Sequence, residues 1–237
     1  MRRIAFTVPG DLATPTGGYA YDRRIIAELR KLGWSVDFID IGEGFPWPNS
    51  ETRTDAEERL SDIPRDRPIV IDGLAFGVLP DLAIKLRTHH PLVALVHHPL
   101  ALESGLSAAQ IVKLHESERA ALAAADRVVV TSEATARCIA ADYAVAADRI
   151  FVARPGVDSA PLARGNRSGV VQLLSIGAIV PRKGFDVLVA ALATLTDLPW
   201  RLSIVGDRSR DAKAAADLDK EVAHLGLSDR VTFLGAV

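Results

Sequence analysis

Between residues 170 and 195 the chain reads VVQLLSIGAIVPRKGFDVLVAALATL. An apolar run of strand length ends at Gly177. A short loop carries Arg182, Lys183 and Gly184, and an apolar segment of helical period follows at once. This order places two cations and a helix N-terminus at the carboxyl end of a buried strand, where open α/β sheets bind phosphate. It also commits the chain to parallel pairing, because the helix must cross back before the next strand can lie alongside.

The rest of the sequence alternates in the same way. Residues 3–10 read as a strand and loop. Residues 19–33 read as a helix with a stripe of Ile25, Ile26, Leu29 and Leu32, stopped by Gly33. Strands are expected at 34–41, 68–74, 91–98, 126–132 and 149–158. Helices are expected at 51–61, near 78–88, at 107–125 and at 133–144, with a loop at 42–50. The segment 160–169 is small, polar and glycine-containing, and breaks the pattern as a linker would. Strand 170–176, helix 185–195, strand 200–205, helix 211–225 and strand 230–234 then follow. The expected architecture is α/β: residues 1–160 as a complete Rossmann-like domain, a linker at 161–169, and a partial second Rossmann-like domain at 170–237.

Composition narrows the function classes. The net charge is −2 and the 28 Lys and Arg are scattered, so there is no basic footprint for nucleic acid. Cys138 is the only cysteine, which excludes an internal disulfide and fits a reducing, cytoplasmic setting. No segment approaches the ~20 apolar residues of a membrane span. The G-x-G at 42–44 lacks the third glycine of a dinucleotide fingerprint. The 177–184 loop lacks the order of a Walker loop, and His115 has no second histidine for zinc. No cluster of metal ligands is visible, so neither metal nor cofactor is expected.

Arg182 and Lys183 are the first site candidates: Arg offers phosphate a bidentate fork, Lys a point charge, and Gly184 permits close backbone approach. Gly17 and Gly18, in T-G-G-Y, let backbone N–H groups face an anion, or form an ordinary turn into a helix. His97 and His98 are neighbours on a strand, so their side chains point to opposite sides; His97 is the preferred one to face a site. Ser132 is explained by N-cap duty, and Glu118 and Arg119 by structural roles on the long helix.

Taken in order, T-G-G at 16–18, H-H-P at 97–99, D-R-V-V-V-T-S at 126–132, P-G-V-D at 155–158, the 178–192 loop and helix, W-R-L-S-I-V-G-D at 200–207 and R-V-T-F-L-G-A-V at 230–237 resemble the retaining, glycogen-synthase-like GT-B glycosyltransferases of family 4. The resemblance covers essentially the whole chain. It implies that Lys183 contacts a donor diphosphate, with Arg182 beside it, since the arginine many members carry after the strand glycine is Ala178 here. It implies that Gly17 and Gly18 approach donor phosphate or sugar, that His97 or His98 acts near the transferred sugar, and that Glu103 lies on the acceptor side. Gly206 and Asp207 would line the nucleoside pocket, or form a plain turn. The partners implied are a nucleotide-sugar donor and an acceptor, with polysaccharide, lipid-linked and small-molecule acceptors all open, and with peripheral membrane contact possible. The family's E-x7-E element and final helix would fall after Val237. The same sequence therefore also admits a binding or assembly module that lacks transfer activity, self-associates, or is completed by another chain. A sugar-nucleotide epimerase is a third reading.

Overall fold

The structure, a computed structural model, describes residues 2–165 and 169–236. Residues 166–168 of the expected linker lie outside the described residues. The chain forms two compact units, Met1–Val157 and Asp158–Val237.

The first unit carries β1 (Arg3–Val8), α1 (Gly17–Lys31), β2 (Ser35–Asp40), α2 (Ser50–Ser61), β3 (Ile69–Asp72), α3 (Gly73–Phe76), α4 (Pro80–Leu86), β4 (Leu92–Val96), α5 (Ala108–Ala124), β5 (Arg127–Val130), α6 (Glu133–Asp142) and β6 (Ile150–Val152). The strands form one parallel sheet in the order β2-β1-β3-β4-β5-β6. The order turns back between β1 and β3, and at such a switch point the carboxyl ends of the strands open a crevice.

Both faces of this sheet are covered, which is why its strands read as continuous apolar runs. Ile69 and Ile71 pack into a core shared with α2, α4 and α5, while Val70 between them packs with Phe6, Val8 and Ile26 of α1 on the other side. Each fully buried large side chain of this kind, such as Phe6, Leu92 or Leu122, contributes about 1.5–3 kcal/mol of transfer free energy.

The helix boundaries follow local chemistry. Thr16 caps α1 by accepting from Tyr19 N, and Ser107 with Gln110 forms a capping box on α5. Leu32, expected in the α1 stripe, is instead the 76% exposed C-cap residue, and Asp22 is buried on that helix. The helix expected near 78–88 is α4, opened by Pro80 because proline is accepted at the first turn of a helix; the strand expected at 68–74 ends at Asp72, which caps the short additional helix α3.

The second unit carries β7 (Val171–Ile176), α7 (Phe185–Ala193), β8 (Trp200–Val205), α8 (Ala212–His224) and β9 (Val231–Gly235). Its strands are parallel in the order β7-β8-β9. Val189, Leu192, Leu202, Ile204, Leu218 and Val222 form its core. Here the reading of 170–176 as a buried strand is corrected: Leu173 packs on the core, but Leu174 is 64% and Ile176 70% exposed. An apolar run is fully buried only where both sheet faces are covered, and α7 and α8 pack on the face that carries Leu173.

Candidate functional site

At the switch point of the six-stranded sheet, His97 follows directly on β4 and meets two carboxylates. Its Nε2 lies 3.0 Å from Asp22 Oδ1 and 3.3 Å from Asp72 Oδ2. Asp22 is wholly buried on α1, one helical turn after Gly18 and therefore on the same side of the helix. Asp72 ends β3, and its Oδ1 accepts from Leu74 N at 2.8 Å, capping α3. Gly18 closes the other side: a Cβ there would stand 3.3 Å from His97 Cδ2. The Tyr21 ring meets the imidazole edge-on, with centroids 5.3 Å apart.

The electrostatics follow from this packing. Burial pulls the His97 pKa down, but hydrogen bonds that its Nε2 donates to Asp22 and Asp72, and their negative charges, outweigh it and lift it to about 9. Burial raises Asp22 to about 6, opposed by the His97 hydrogen bond and reinforced by the Asp72 charge. Burial, then Asp72 and Asp22, push the nearby Tyr19 hydroxyl up to about 12. Among the described residues, Asp22, Asp72 and His97 are the one group whose donor atoms converge within 4.8 Å. Nε2 lies at hydrogen-bonding distance from both carboxylates, so an N–H there can donate to either.

His98 behaves differently. Its Nε2 is buried without a hydrogen-bond partner. The chain then makes a 3-10 turn over Leu100–Leu102, held by Leu100 N donating to Glu118 Oε2 at 2.9 Å. Glu118 is 1% exposed, and burial raises its pKa to about 7 against the Leu100 hydrogen bond. Gly77 leaves room for this lock, because a Cβ there would stand 2.6 Å from Leu100 Cδ1 and 3.1 Å from Glu118 Cγ. Glu103 is exposed and accepts from Ser104 N at 3.1 Å. Arg119 is exposed on α5, and Ser132 accepts from Thr135 N at 3.0 Å to cap α6.

In the second unit the carboxyl ends of the three strands are glycines: Gly177 after β7, Gly206 after β8, and Gly235 closing β9. Gly177 N donates to Val205 O and Gly206 N to Gly235 O, each at 2.8 Å. A Cβ on Gly206 would stand 1.8 Å from Gly177 O, so only glycine fits there. Pro181–Lys183 form a single 3-10 turn, and Gly184 at φ +64° reverses the chain into α7. The Lys183 methylenes lie over Gly177, with Cδ and Cε 3.6 Å from where its Cβ would be. Arg182 is exposed on the same turn. Asp207 turns its carboxylate onto its own turn: Oδ1 accepts from both Ser209 N and Ser209 Oγ at 2.7 Å, which lowers its pKa.

The structure thus brings His97 against Gly18, and Lys183 and Gly206 each against Gly177. Asp22 and Asp72 are the members of this cluster that sequence reasoning missed. The available signals were an aspartate one turn after a glycine pair and an aspartate closing the strand IVID. Neither stands out from a solvated carboxylate until the sheet order is known.

Residues 20–160 match the family Glycosyltransferase Family 4, and residues 163–237 match Glycosyl transferases group 1. The chain belongs to glycosyltransferase family 4. Among curated proteins it is similar to a D-inositol 3-phosphate glycosyltransferase of Nocardia farcinica, 34% identical over 63% of this chain and 36% of that protein. It is also similar to the protein of that name in Rhodococcus erythropolis, 31% identical over 60% of this chain and 37% of that protein. The chain spans about a third of the length of these relatives. Among solved structures it is similar to the lipopolysaccharide outer core galactosyltransferase WaaB, with TM-score 0.69 and 15% identity over 99% of this chain and 68% of that one. Anabaena HepE in complex with UDP and glucose gives TM-score 0.64 and 18% identity over 100% of this chain and 70% of that one. These likenesses show the GT-B fold. Among the described residues no helix is long and apolar enough to cross a membrane.

Proposed function

We propose that this chain transfers a sugar from a nucleotide-diphosphate donor to an acceptor hydroxyl with retention of configuration. The observation that carries this reading is the end of β7, where Lys183 folds over Gly177 one residue before Gly184 and the N-terminus of α7. In transfer, the bond from the anomeric carbon to the diphosphate oxygen breaks and its electron pair leaves with the diphosphate. Lys183, Arg182 and the unpaired N–H groups of the first turn of α7 stabilise that charge. The acceptor oxygen bonds to the anomeric carbon on the face the diphosphate leaves, and its proton passes to the departing phosphate. The scheme calls for no protein nucleophile, metal or cofactor. Gly17 and Gly18 bring backbone N–H groups toward the donor, and His97 hydrogen-bonds the transferred sugar. Glu103 serves the acceptor side, and the Gly206 backbone lines the nucleoside, with Asp207 shaping its turn.

The family membership supports this reading, as does the presence of UDP and glucose in the HepE complex. The test is calorimetric titration of UDP, GDP and their sugars into this chain, with Lys183→Ala beside it. Binding that the substitution weakens tenfold or more supports the donor site, and equal binding by both removes the loop from it. Acceptor screening begins with D-inositol 3-phosphate, from the names of the curated relatives. Binding without turnover would favour the binding-module reading.

A further inference from the structure

We propose that Asp22 and Asp72 are positioning residues that fix His97 with Nε2 turned into the fold, leaving Nδ1–H as the atom it offers to a ligand. The inference rests on the glycosyl-transfer reading only for the ligand's identity, a sugar hydroxyl or phosphate oxygen. The orientation rests on contacts within the first unit.

Three contacts determine the ring's pose. Both carboxylate oxygens lie on Nε2, the Cδ2 edge closes on Gly18, and Tyr21 meets the ring edge-on. The side chain is still 22% exposed, and among the described residues Nδ1 takes no hydrogen-bond partner. A flipped ring would put a carbon against two buried carboxylates. Each carboxylate has its own anchor: Asp72 accepts from Leu74 N, and Asp22 is carried by α1.

The carboxylates also set the protonation state. An ionised carboxylate only accepts, so Nε2 must carry hydrogen in both the neutral and the charged ring. A neutral His97 would therefore present a lone pair at Nδ1, and a charged one an N–H. Asp22 and Tyr21 from α1 and Asp72 from the end of β3 are the titratable groups that face the ring. Just after β5, the Thr131 hydroxyl donates to His97 O at 3.2 Å. The two acids favour the charged ring, so at neutral pH His97 acts as a cationic donor and not as a base. Stability does not require this arrangement, since well-packed apolar groups often serve a fold as well as a buried ionic cluster. Asp22 Oδ2, buried without a partner, shows the energetic cost the fold carries here.

The test is a pH series of long-range 1H–15N spectra on the full chain with labelled histidine rings. His97→Gln identifies the signal among the six histidines. The expected result is a His97 signal that keeps Nε2 protonated throughout and titrates at least one pH unit above the ordinary histidine value of about 6.5. In Asp72→Asn and Asp22→Asn that midpoint should fall by one unit or more, and Asp72→Glu should restore part of it. A neutral ring protonated on Nδ1 would overturn the proposal, as would titration at the ordinary histidine value or a midpoint indifferent to both Asn variants. A signal that a chelator alters would assign the cluster to an ion and overturn it equally. The wild-type spectrum decides the tautomer even if a variant fails to fold. Failure of nucleotide binding in calorimetry would remove the glycosyl-transfer reading without moving this titration, so the two fail separately.

Discussion

The carboxyl ends of the two sheets are furnished in opposite ways. On the six-stranded sheet the edge is made of side chains: His97 held by Asp22 and Asp72, all at least three-quarters withdrawn from water. On the three-stranded sheet it is made of backbone: Gly177, Gly206 and Gly235 side by side, with Lys183 laid across the first. The same strand–loop–helix unit thus supports two chemistries. A preset charge needs burial and partners, so its properties reside in pKa values. A bare backbone needs the absence of side chains, so its properties reside in steric room. Substitutions should therefore act on pH dependence at the first edge and on folding or ligand contact at the second.

The largest expected effect is steric. In Gly206→Ala the new methyl must move away from Gly177 O by more than an ångström, which pulls apart the ends of β7 and β8. We expect a loss of about 3 kcal/mol or more in the second unit. Urea denaturation followed by Trp200, which is buried there, reads it, while Trp34 and Trp47 report the first unit. An unshifted Trp200 transition would mean that the three glycines are not in register.

Glu118 sharpens the side-chain half of the comparison. Glu118→Ala leaves Leu100 N unpaired in a buried setting and opens a cavity, with an expected loss of about 2–3 kcal/mol. Glu118→Gln keeps an acceptor for Leu100 N. The folded pKa is raised to about 7 above the ordinary 4.5. The stability this group contributes is therefore complete below pH 4.5 and is lost as pH rises through 7. Glu118→Gln should accordingly be more stable relative to wild type at pH 8 than at pH 5. A constant difference between those pH values, in urea midpoints, would sink the assignment.

His97 has the same sign in a higher window. With its pKa raised to about 9 from 6.5, its contribution is complete below pH 6.5 and disappears as pH rises through 9. Wild type should lose about 2 kcal/mol between pH 7 and 10, on the scale of about 1.4 kcal/mol per unit. His97→Gln should flatten that part of the curve. Parallel stability curves for the two proteins would show that the imidazole is neutral in the fold.

What the sequence disclosed, and what it withheld, follows the same division. The alternation of elements was legible because strands covered on both faces must be apolar throughout, as in β3 and β4. Glycine signals at 17–18, 177 and 184 were legible because each stands at an element boundary: 17–18 open α1, 177 follows β7 and 184 leads into α7. Asp22 and Asp72 were not, since their meaning depends on β3 and β4 being neighbours and on α1 lying over their ends. Leu32 and the exposed face of β7 were misread for a related reason: period and composition show that a residue can be buried, while burial itself depends on what packs against it. The reason for Gly206 was equally hidden, because the contact that demands glycine is with the carbonyl of the adjacent strand.

The smallest expected effect on folding, and the most specific on binding, belongs to Lys183. Its side chain is exposed and no ion pair or hydrogen bond of the fold depends on it among the described residues; its methylenes merely cover Gly177. Lys183→Ala should therefore change unfolding free energy by less than about 0.5 kcal/mol. If the lysine meets a diphosphate, the same substitution removes a charge-assisted hydrogen bond of about 1.5–3 kcal/mol, roughly tenfold or more in nucleotide affinity. Lys183→Arg keeps the charge but changes its shape, and should fall between the two. Salt gives a further discriminant, because an exposed cation is screened at high ionic strength whereas the His97 cluster, being buried, is not. Nucleotide affinity should then fall steeply with salt in wild type and weakly in Lys183→Ala. Equal salt slopes for the two proteins would place the phosphate elsewhere, and the backbone edge would lose its assigned ligand.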